Sequence, residues 1–370
     1  MLLVSEPVLG TEETSALSEV IESGWITMGP RVRAFEEAFA AAHGLSDCIA
    51  VSSCTAALHL ILLAAGIGPG DEVLVPSLTF AATANSVMYV GAKPVFVDIE
   101  SLDVPLISPA RAEQLCSART RAVILVHYAG ALADRAAWRA LANRHGLLLV
   151  EDSAHAVGVE GPGTIGDAAA FSFYGNKNMT TGEGGVVTAR DPALLERVRL
   201  LRGHGMTSGT FARLNSRTPH YDVTLLGFNY RMDELRAAVG LVQLAHLPAW
   251  NASRRAFSRL YRRLLDRVCP DVRVPFSDER ASSHHIMPAL LPAAADRDLV
   301  IERLRDAGIQ TTIHYRPVHH LTLYRERPDI GPLPVTEEFA SRELTLPLHP
   351  KMTAADVEHV VNALATALRT

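Results

Sequence analysis

The chain has 370 residues, 48% apolar and 20% charged, enough to bury a large core, and its length favours two domains over one. Its 35 basic and 40 acidic residues leave a formal net charge of −5, which argues against a nucleic-acid-binding surface. No apolar run reaches membrane-spanning length, and the start Met1-Leu2-Leu3-Val4-Ser5-Glu6-Pro7 lacks the basic and long apolar segments of a secretion signal. Cys48, Cys54, Cys116 and Cys269 form no CxxC pair and no metal-ligand spacing. A reducing cytoplasm fits best, and the sequons at Asn178 and Asn251 then carry no sugar.

From about Asp47 to Val187, short β-rich runs alternate with helical patterns. The strand Cys48–Val51 leads into a helix over Ala56–Ala65, and Glu72–Val75 into a helix over Ala81–Val90. Strands follow at Pro94–Val97, Ala122–Val126, Leu147–Val150, Ala168–Phe173 and Val186–Thr188. Continuous apolar strands separated by helices predict a mainly parallel sheet covered on both faces, an α/β fold. Helices are expected over Pro192–Leu201, Met232–Leu247 and Ala252–Val268. In the last of these, Arg254, Arg255, Arg259, Arg262, Arg263 and Arg267 read as a solvated face opposite an apolar stripe. A strand over His285–Leu291, a helix over Asp296–Ala307, a strand near Ile309–Ile313 and a helix over Ala354–Leu368 then describe a smaller α+β domain. The expected division is 1–246 for the large domain and 247–370 for the small one.

Two strand ends carry the chemistry. The run Gly146-Leu147-Leu148-Leu149-Val150 ends in Glu151-Asp152-Ser153-Ala154-His155, and the strand Ala168–Phe173 leads into Tyr174-Gly175-Asn176-Lys177-Asn178. In a parallel sheet, ligands gather at the carboxyl ends of strands, where Asp152, Ser172 and Lys177 lie. A lysine and a carboxylate on neighbouring strand ends are what pyridoxal phosphate chemistry needs. The lysine forms a Schiff base with the aldehyde, and the carboxylate keeps the pyridine nitrogen protonated so that the ring acts as an electron sink.

A cofactor phosphate needs converging N–H groups and a helix N-terminus. The turn Ser52-Ser53-Cys54-Thr55, opening the helix at Ala56, offers both, with Thr55 and Ala56 as donors and Ser172 as a further hydroxyl. The same turn also reads as an ordinary Ser/Thr helix cap. Phe80, after another strand, is placed to stack on a ring or to fill the core. His284-His285 and His319-His320 lack carboxylate or cysteine company, so no metal site is expected. Gly182-Glu183-Gly184-Gly185 lacks the spacing of a dinucleotide-binding turn, which argues against a nicotinamide dehydrogenase.

With these residues in place, the chain resembles the DegT/DnrJ/EryC1/StrS family of pyridoxal-phosphate-dependent sugar aminotransferases, of fold type I. The segments that carry the likeness run in order over nearly the whole chain. They are Gly24-Trp25-Ile26-Thr27-Met28-Gly29-Pro30, Cys54-Thr55-Ala56-Ala57-Leu58-His59, Val75-Pro76-Ser77-Leu78-Thr79-Phe80 and Val126-His127-Tyr128-Ala129-Gly130. Glu151–Ala156, the lysine segment, Gly227-Phe228-Asn229-Tyr230-Arg231-Met232 and His314-Tyr315-Arg316-Pro317-Val318-His319 complete the series. Cys54 and Arg316 depart from the family pattern, where glycine and proline are common.

The resemblance implies that Lys177 is the Schiff-base lysine and Asp152 the pyridine partner. It places His155 beside the phenolic oxygen, Thr55, Ala56 and Ser172 on the phosphate, and Phe80 over the ring. It implies a homodimer in which Asn229 reaches the partner subunit's phosphate. Trp25, Thr27, Tyr174, Arg231, His314, Tyr315 and His319 are implied to line the substrate pocket. The expected reaction moves an amino group from L-glutamate or L-glutamine to a keto-sugar, with a nucleotide-linked 4-keto-6-deoxyhexose as first choice. A 3-keto sugar or keto-cyclitol is the alternative, and a pyridoxal-phosphate-binding regulator without turnover is the alternative of another class. Sugar 3-dehydratases that resemble the family place histidine at the lysine position, so Lys177 argues against that reaction.

Overall fold

The structure is a computed structural model and describes residues 1–209, 211, 213, 220–278, 280–326 and 330–369. Seven strands form one sheet: β1 Ile49–Val51, β2 Glu72–Pro76, β3 Lys93–Val97, β4 Thr120–Val126, β5 Leu148–Asp152, β6 Ala168–Ser172 and β7 Gly185–Ala189. Their order is β1-β7-β6-β5-β4-β2-β3. β3, β2, β4, β5 and β6 pair in parallel, whereas β7 runs antiparallel to both β6 and β1. The expected mainly parallel α/β sheet is observed, with each expected strand up to β7 in place.

The strands alternate between two cores. Val73, Val75, Ala122, Ile124 and Val150 join the cluster under the helices Cys54–Ala64 and Pro192–Leu201. Leu74, Val123, Leu125 and Leu149 join Trp138 and Leu141 of the helix Arg135–His145 on the opposite face. Both faces are therefore buried, which is why these strands read as unbroken apolar runs.

Three local expectations change. Met232–Leu247 and Ala252–Val268 are one helix, Glu234–Val268, with Pro248 inside it. An interior proline costs about 3 kcal/mol, but both halves are packed: Ala237, Leu244 and Leu247 in one core, Tyr261 and Leu265 in another. Ile309–Ile313 is not a strand, since it makes only the isolated bridges Leu2 to Ile309 and Thr312 to Thr345. Its apolar side chains pack without a ladder, and the second sheet is instead an antiparallel pair, β8 Met287–Leu290 with β9 Glu343–Leu346. The arginine face is also not uniformly solvated, because Arg254 is buried.

Helices Thr11–Ser23 and Pro30–Ala42 precede the sheet. The second opens on Pro30, and its cap comes from far along the chain. The buried carboxylate of Glu234 accepts the N–H groups of Gly29, Arg31 and Val32, each at 2.9 Å. The Glu234 N–H in turn donates to Ile26 O at 3.2 Å. The segment Gly24–Pro30 is thereby tied to the start of the long helix. Among the described residues, no helix is long and apolar enough to cross a membrane.

Glu234→Ala leaves one buried and two half-buried N–H donors without their acceptor, and we expect it to lower unfolding stability by about 2 kcal/mol. Denaturant unfolding of the purified protein measures this; a loss below about 0.5 kcal/mol would show that the carboxylate does not hold this segment.

Candidate active site

Asp152 ends β5 and Ser172 ends β6, its parallel neighbour. Five residues beyond Ser172, Lys177 follows the turn in which its N–H donates to Tyr174 O at 3.0 Å. The pairing of β5 with β6 brings the carboxylate and the amine to one end of the sheet. Asp152 is 6% exposed. Its Oδ2 accepts the Thr83 hydroxyl at 2.8 Å, and its Oδ1 accepts the Ala154 N–H at 3.2 Å. Cys54 Sγ lies 3.9 Å from the same Oδ1.

Burial sets the electrostatics of the pair. It raises the Asp152 carboxyl above its ordinary value, against the opposing pull of Thr83, the Ala154 N–H and the Lys177 charge. Lys177 remains partly accessible, as an amine that meets a ligand must, yet the surrounding protein lowers its ammonium to about 8. The carboxylate of Asp152 opposes that shift. The site thus holds an amine that deprotonates near neutrality beside a carboxylate held by two donors.

His155 is buried, and its Nε2 lies 2.8 Å from the Tyr315 hydroxyl. Its Nδ1 is buried with no partner. Burial, then the charges of Lys177 and His314, hold this imidazole neutral. The Tyr315 ring stacks on His155 at 6.0 Å and faces Phe80 at 6.3 Å. Phe80 is 63% exposed, unusual for a large aromatic beside a buried cluster. His314 is fixed on three sides. Its N–H donates to Glu343 Oε2 at 2.8 Å, its Nδ1 lies 2.8 Å from Thr345 Oγ1, and its carbonyl accepts the Tyr128 hydroxyl at 2.6 Å. Burial lowers His314 to about 3 and raises Glu343 to about 8.

The phosphate turn is in part the cap that the sequence offers as an alternative. Ser53 is the N-cap residue, and its hydroxyl already accepts the Ala56 N–H at 3.1 Å. The start of β7 presses against this turn: a Cβ on Gly185 would lie 2.7 Å from Cys54 N and from Phe171 O. Only glycine leaves room there, which accounts for Gly185 after Gly184. Ser172 is buried, and its hydroxyl accepts the Tyr174 N–H at 3.4 Å.

The remaining expected site residues divide. Tyr174 is exposed beside Lys177, Thr27 is exposed, and Trp25 donates to Met28 O at 3.4 Å. Asn229 is exposed, whereas Arg231 bridges to Val51 behind the phosphate turn. His319 is buried with Nδ1 at 2.6 Å from Ser77 Oγ and Nε2 at 3.1 Å from Glu337. Glu337 also stands beside His320, so this histidine pair does have carboxylate company, unlike the expectation from sequence.

Several supporting residues were not singled out from sequence. Thr83 lies one helical turn after Phe80, a spacing that does signal a shared face. Asn178 Nδ2 donates to Asn251 Oδ1 at 2.7 Å and to Ser283 O at 2.9 Å, and its Oδ1 lies 2.8 Å from His285 Nδ1. This ties the residue after Lys177 to the long helix and to the segment that carries His285.

The site fits pyridoxal phosphate. It offers a buried acidic partner, a low-pKa lysine, an orphaned buried ring nitrogen on His155, an exposed aromatic at Phe80 and a helix N-terminus at Cys54. Together with the seven-strand sheet, these residues define a fold type I pyridoxal-phosphate-dependent aminotransferase.

The chain belongs to the DegT/DnrJ/EryC1/StrS aminotransferase family, whose family model matches residues 7–365. It is 35% identical to the aminotransferase TlmJ from Streptoalloteichus hindustanus, with a TM-score of 0.92, covering 100% of this chain and 99% of that one. It is 29% identical to the sugar aminotransferase Spr1654 from Streptococcus pneumoniae in its PLP form, with a TM-score of 0.92 and coverage of 99% and 98%. DesI, solved in the presence of its TDP-sugar product, is 32% identical with a TM-score of 0.88, covering 100% of this chain and 93% of that one. The protein is accordingly a pyridoxal-phosphate-dependent sugar aminotransferase.

Because Lys177 must be neutral to attack the cofactor's aldehyde, capture of pyridoxal phosphate by cofactor-free protein should accelerate with rising pH and level off above a midpoint near 8. Stopped-flow absorbance across pH 6.5–10.5 follows this; a midpoint near the unperturbed lysine value of about 10.4 would contradict the desolvation that lowers the Lys177 amine.

Proposed function

We propose that this protein transfers an amino group from L-glutamate or L-glutamine to a nucleotide-linked keto-sugar, with a 4-keto-6-deoxyhexose as the favoured acceptor. The observation that carries the reading is the low-pKa Lys177 amine facing the buried Asp152 carboxylate at the ends of adjacent parallel strands. The nucleotide-linked acceptor is supported by the likeness to DesI, solved in the presence of its TDP-sugar product.

Pyridoxal phosphate, bound through Lys177 Nζ, supplies the electron sink that makes the donor's α-proton acidic and stores the amino group between the two halves of the reaction. Lys177 Nζ, once free, accepts that proton from the donor's α-carbon. With a pKa of about 8, a useful share of the amine is neutral at pH 7.5 while its conjugate acid still returns the proton readily. Asp152 holds a proton at the ring nitrogen, and Thr83 and the Ala154 N–H keep its carboxylate oriented. His155, neutral and backed by Tyr315, accepts or donates a hydrogen bond at the ring's oxygen through its free Nδ1. Thr55, Ala56 and Ser172 bind the phosphate, with the Ala56 N–H shared with Ser53. Phe80, exposed beside the Tyr315 ring, would cover one face of the cofactor ring.

Trp25, Thr27, Tyr174, Arg231, His314, Tyr315 and His319 are assigned to the pocket for the substrate. His319 is anchored by the Ser77 hydroxyl at 2.6 Å and by Glu337 at 3.1 Å. Asn229, exposed on its own subunit, acts in the partner's site of a homodimer. We place the division between cofactor-binding and smaller parts at 246/247, inside the long helix, with the first four residues packed on the smaller part through Leu2.

The purified protein is expected to be yellow and to bleach on adding L-glutamate, as bound cofactor takes up the amino group. Lys177→Ala should lose turnover by at least about a thousandfold and fail to bleach. Yellow wild-type protein that bleaches with L-glutamine alone would correct the donor; bleaching with neither, or full turnover by the variant, would overturn the proposal.

A further inference from the structure

The second half of the long helix carries arginines that the transamination site does not use. Arg254 turns inward and donates through Nη1 to His285 O at 3.2 Å and Leu348 O at 2.7 Å. Arg255, Arg259 and Arg262 follow one another by four and three residues, so they form one stripe along the helix. That stripe, with Arg255 and Arg259 exposed, borders an open cavity of about 510 Å³ that is also lined by Val274–Asp278, Arg280–Ser282, His284 and Gly158–Glu160. A space of that size matches a small-molecule ligand rather than a macromolecular surface.

Four arginines line this cavity against two carboxylates, Asp278 and Glu160. Asp278 is consumed by Arg280, with which it forms a salt bridge. Arg262 is held in place by donating to Val274 O at 3.2 Å and to Pro275 O at 2.6 Å. Arg255 and Arg259 have no ion pair or hydrogen bond among the described residues. The three guanidinium groups of the stripe converge on His284, which burial and their combined charge hold at about 4. Among the described lining residues the guanidinium groups outnumber the carboxylates four to two, with Asp103 and Asp266 near Arg262, and that remaining excess of positive charge favours an anion in the cavity. Guanidinium forks match phosphate oxygens in pairs, which makes phosphate the best-fitting anion.

The cavity is separate from the Lys177 site. The segment Ser282–His285 stands between them: Ser283 N–H donates to Gly130 O at 3.3 Å and His285 N–H to Ala129 O at 3.1 Å. On its cavity side this wall presents His284; on the other side His285 packs against His155 with ring centres 4.3 Å apart.

We propose that the Arg255–Arg259–Arg262 cavity is a second ligand site, which binds a small molecule bearing a diphosphate group. The ligand's oxygens pair with the unpartnered guanidinium groups of Arg255 and Arg259, with Arg262 and Arg280 lining the floor.

Calorimetric titration of the holoenzyme at fixed ionic strength tests this with two probes, inorganic pyrophosphate and thymidine diphosphate. With the cofactor in place its own phosphate site is filled, and because the substrate pocket can also take a nucleotide diphosphate, binding is assigned to the arginine cavity only by its loss in variants of Arg255 and Arg259. Sub-millimolar binding that weakens at least about tenfold in Arg255→Gln/Arg259→Gln supports the site. Equal affinity for both probes assigns recognition to the diphosphate alone; affinity for thymidine diphosphate tenfold or more above that for pyrophosphate shows that a nucleoside is read as well. Should the glutamine pair lose its yellow colour or melt early, Arg255→Lys/Arg259→Lys keeps the charge but not the fork and should weaken binding several-fold. No saturable binding by 10 mM, or affinity unchanged in the substituted protein, would overturn the proposal.

Discussion

The structure depends most on one electrostatic balance at the ends of β5 and β6. Burial drives the Asp152 carboxyl and the Lys177 ammonium toward their neutral forms, and each charge pulls the other back. Neither shift runs to its limit, because the Thr83 hydroxyl and the Ala154 N–H give the carboxylate two donors. The parallel register of the two strands is what brings the groups to the same end of the sheet. A ladder slip of one residue would turn Asp152 to the other face, so the many apolar contacts along β4, β5 and β6 also hold the chemistry in register.

Around that pair, the supporting residues come from segments far apart in sequence. Glu343 and Tyr128 hold His314, Asn251 and Ser283 hold Asn178, and Glu234 holds the Gly24–Pro30 loop. The long helix contributes both Glu234 and Asn251, seventeen residues apart, so it braces the site from two sides. Its passage through Pro248 without a break keeps those two anchors in fixed relation.

Strands buried on both faces announce themselves as continuous apolar runs, and so β1 to β7 were legible from sequence. Asp152 and Lys177 were legible too, since each follows such a run directly. The helix Pro30–Ala42 carried a readable signal in Pro30 followed by Val32, Phe35 and Phe39, all buried on one face. Other features had no local signal. Glu234 caps a helix 202 residues or more away, and nothing in its neighbourhood marks it. Ile309–Ile313 has strand composition, yet its apolar side chains are satisfied by packing and two bridges. The arginines of the long helix looked alike in sequence, and only the distant carbonyls of His285 and Leu348, which accept from Arg254, separate this buried residue from the cavity-lining Arg255 and Arg259.

The central claim is that Asp152 keeps the cofactor's ring nitrogen protonated from inside a buried site. The direct measurement is the nitrogen-15 chemical shift of pyridoxal phosphate labelled at that nitrogen and bound to the protein, compared between wild type and Asp152→Asn at pH 7.5. The account predicts a protonated-nitrogen shift in the wild type that moves to the unprotonated position in the variant. An unprotonated shift in the wild type, or the same shift in both proteins, would contradict it.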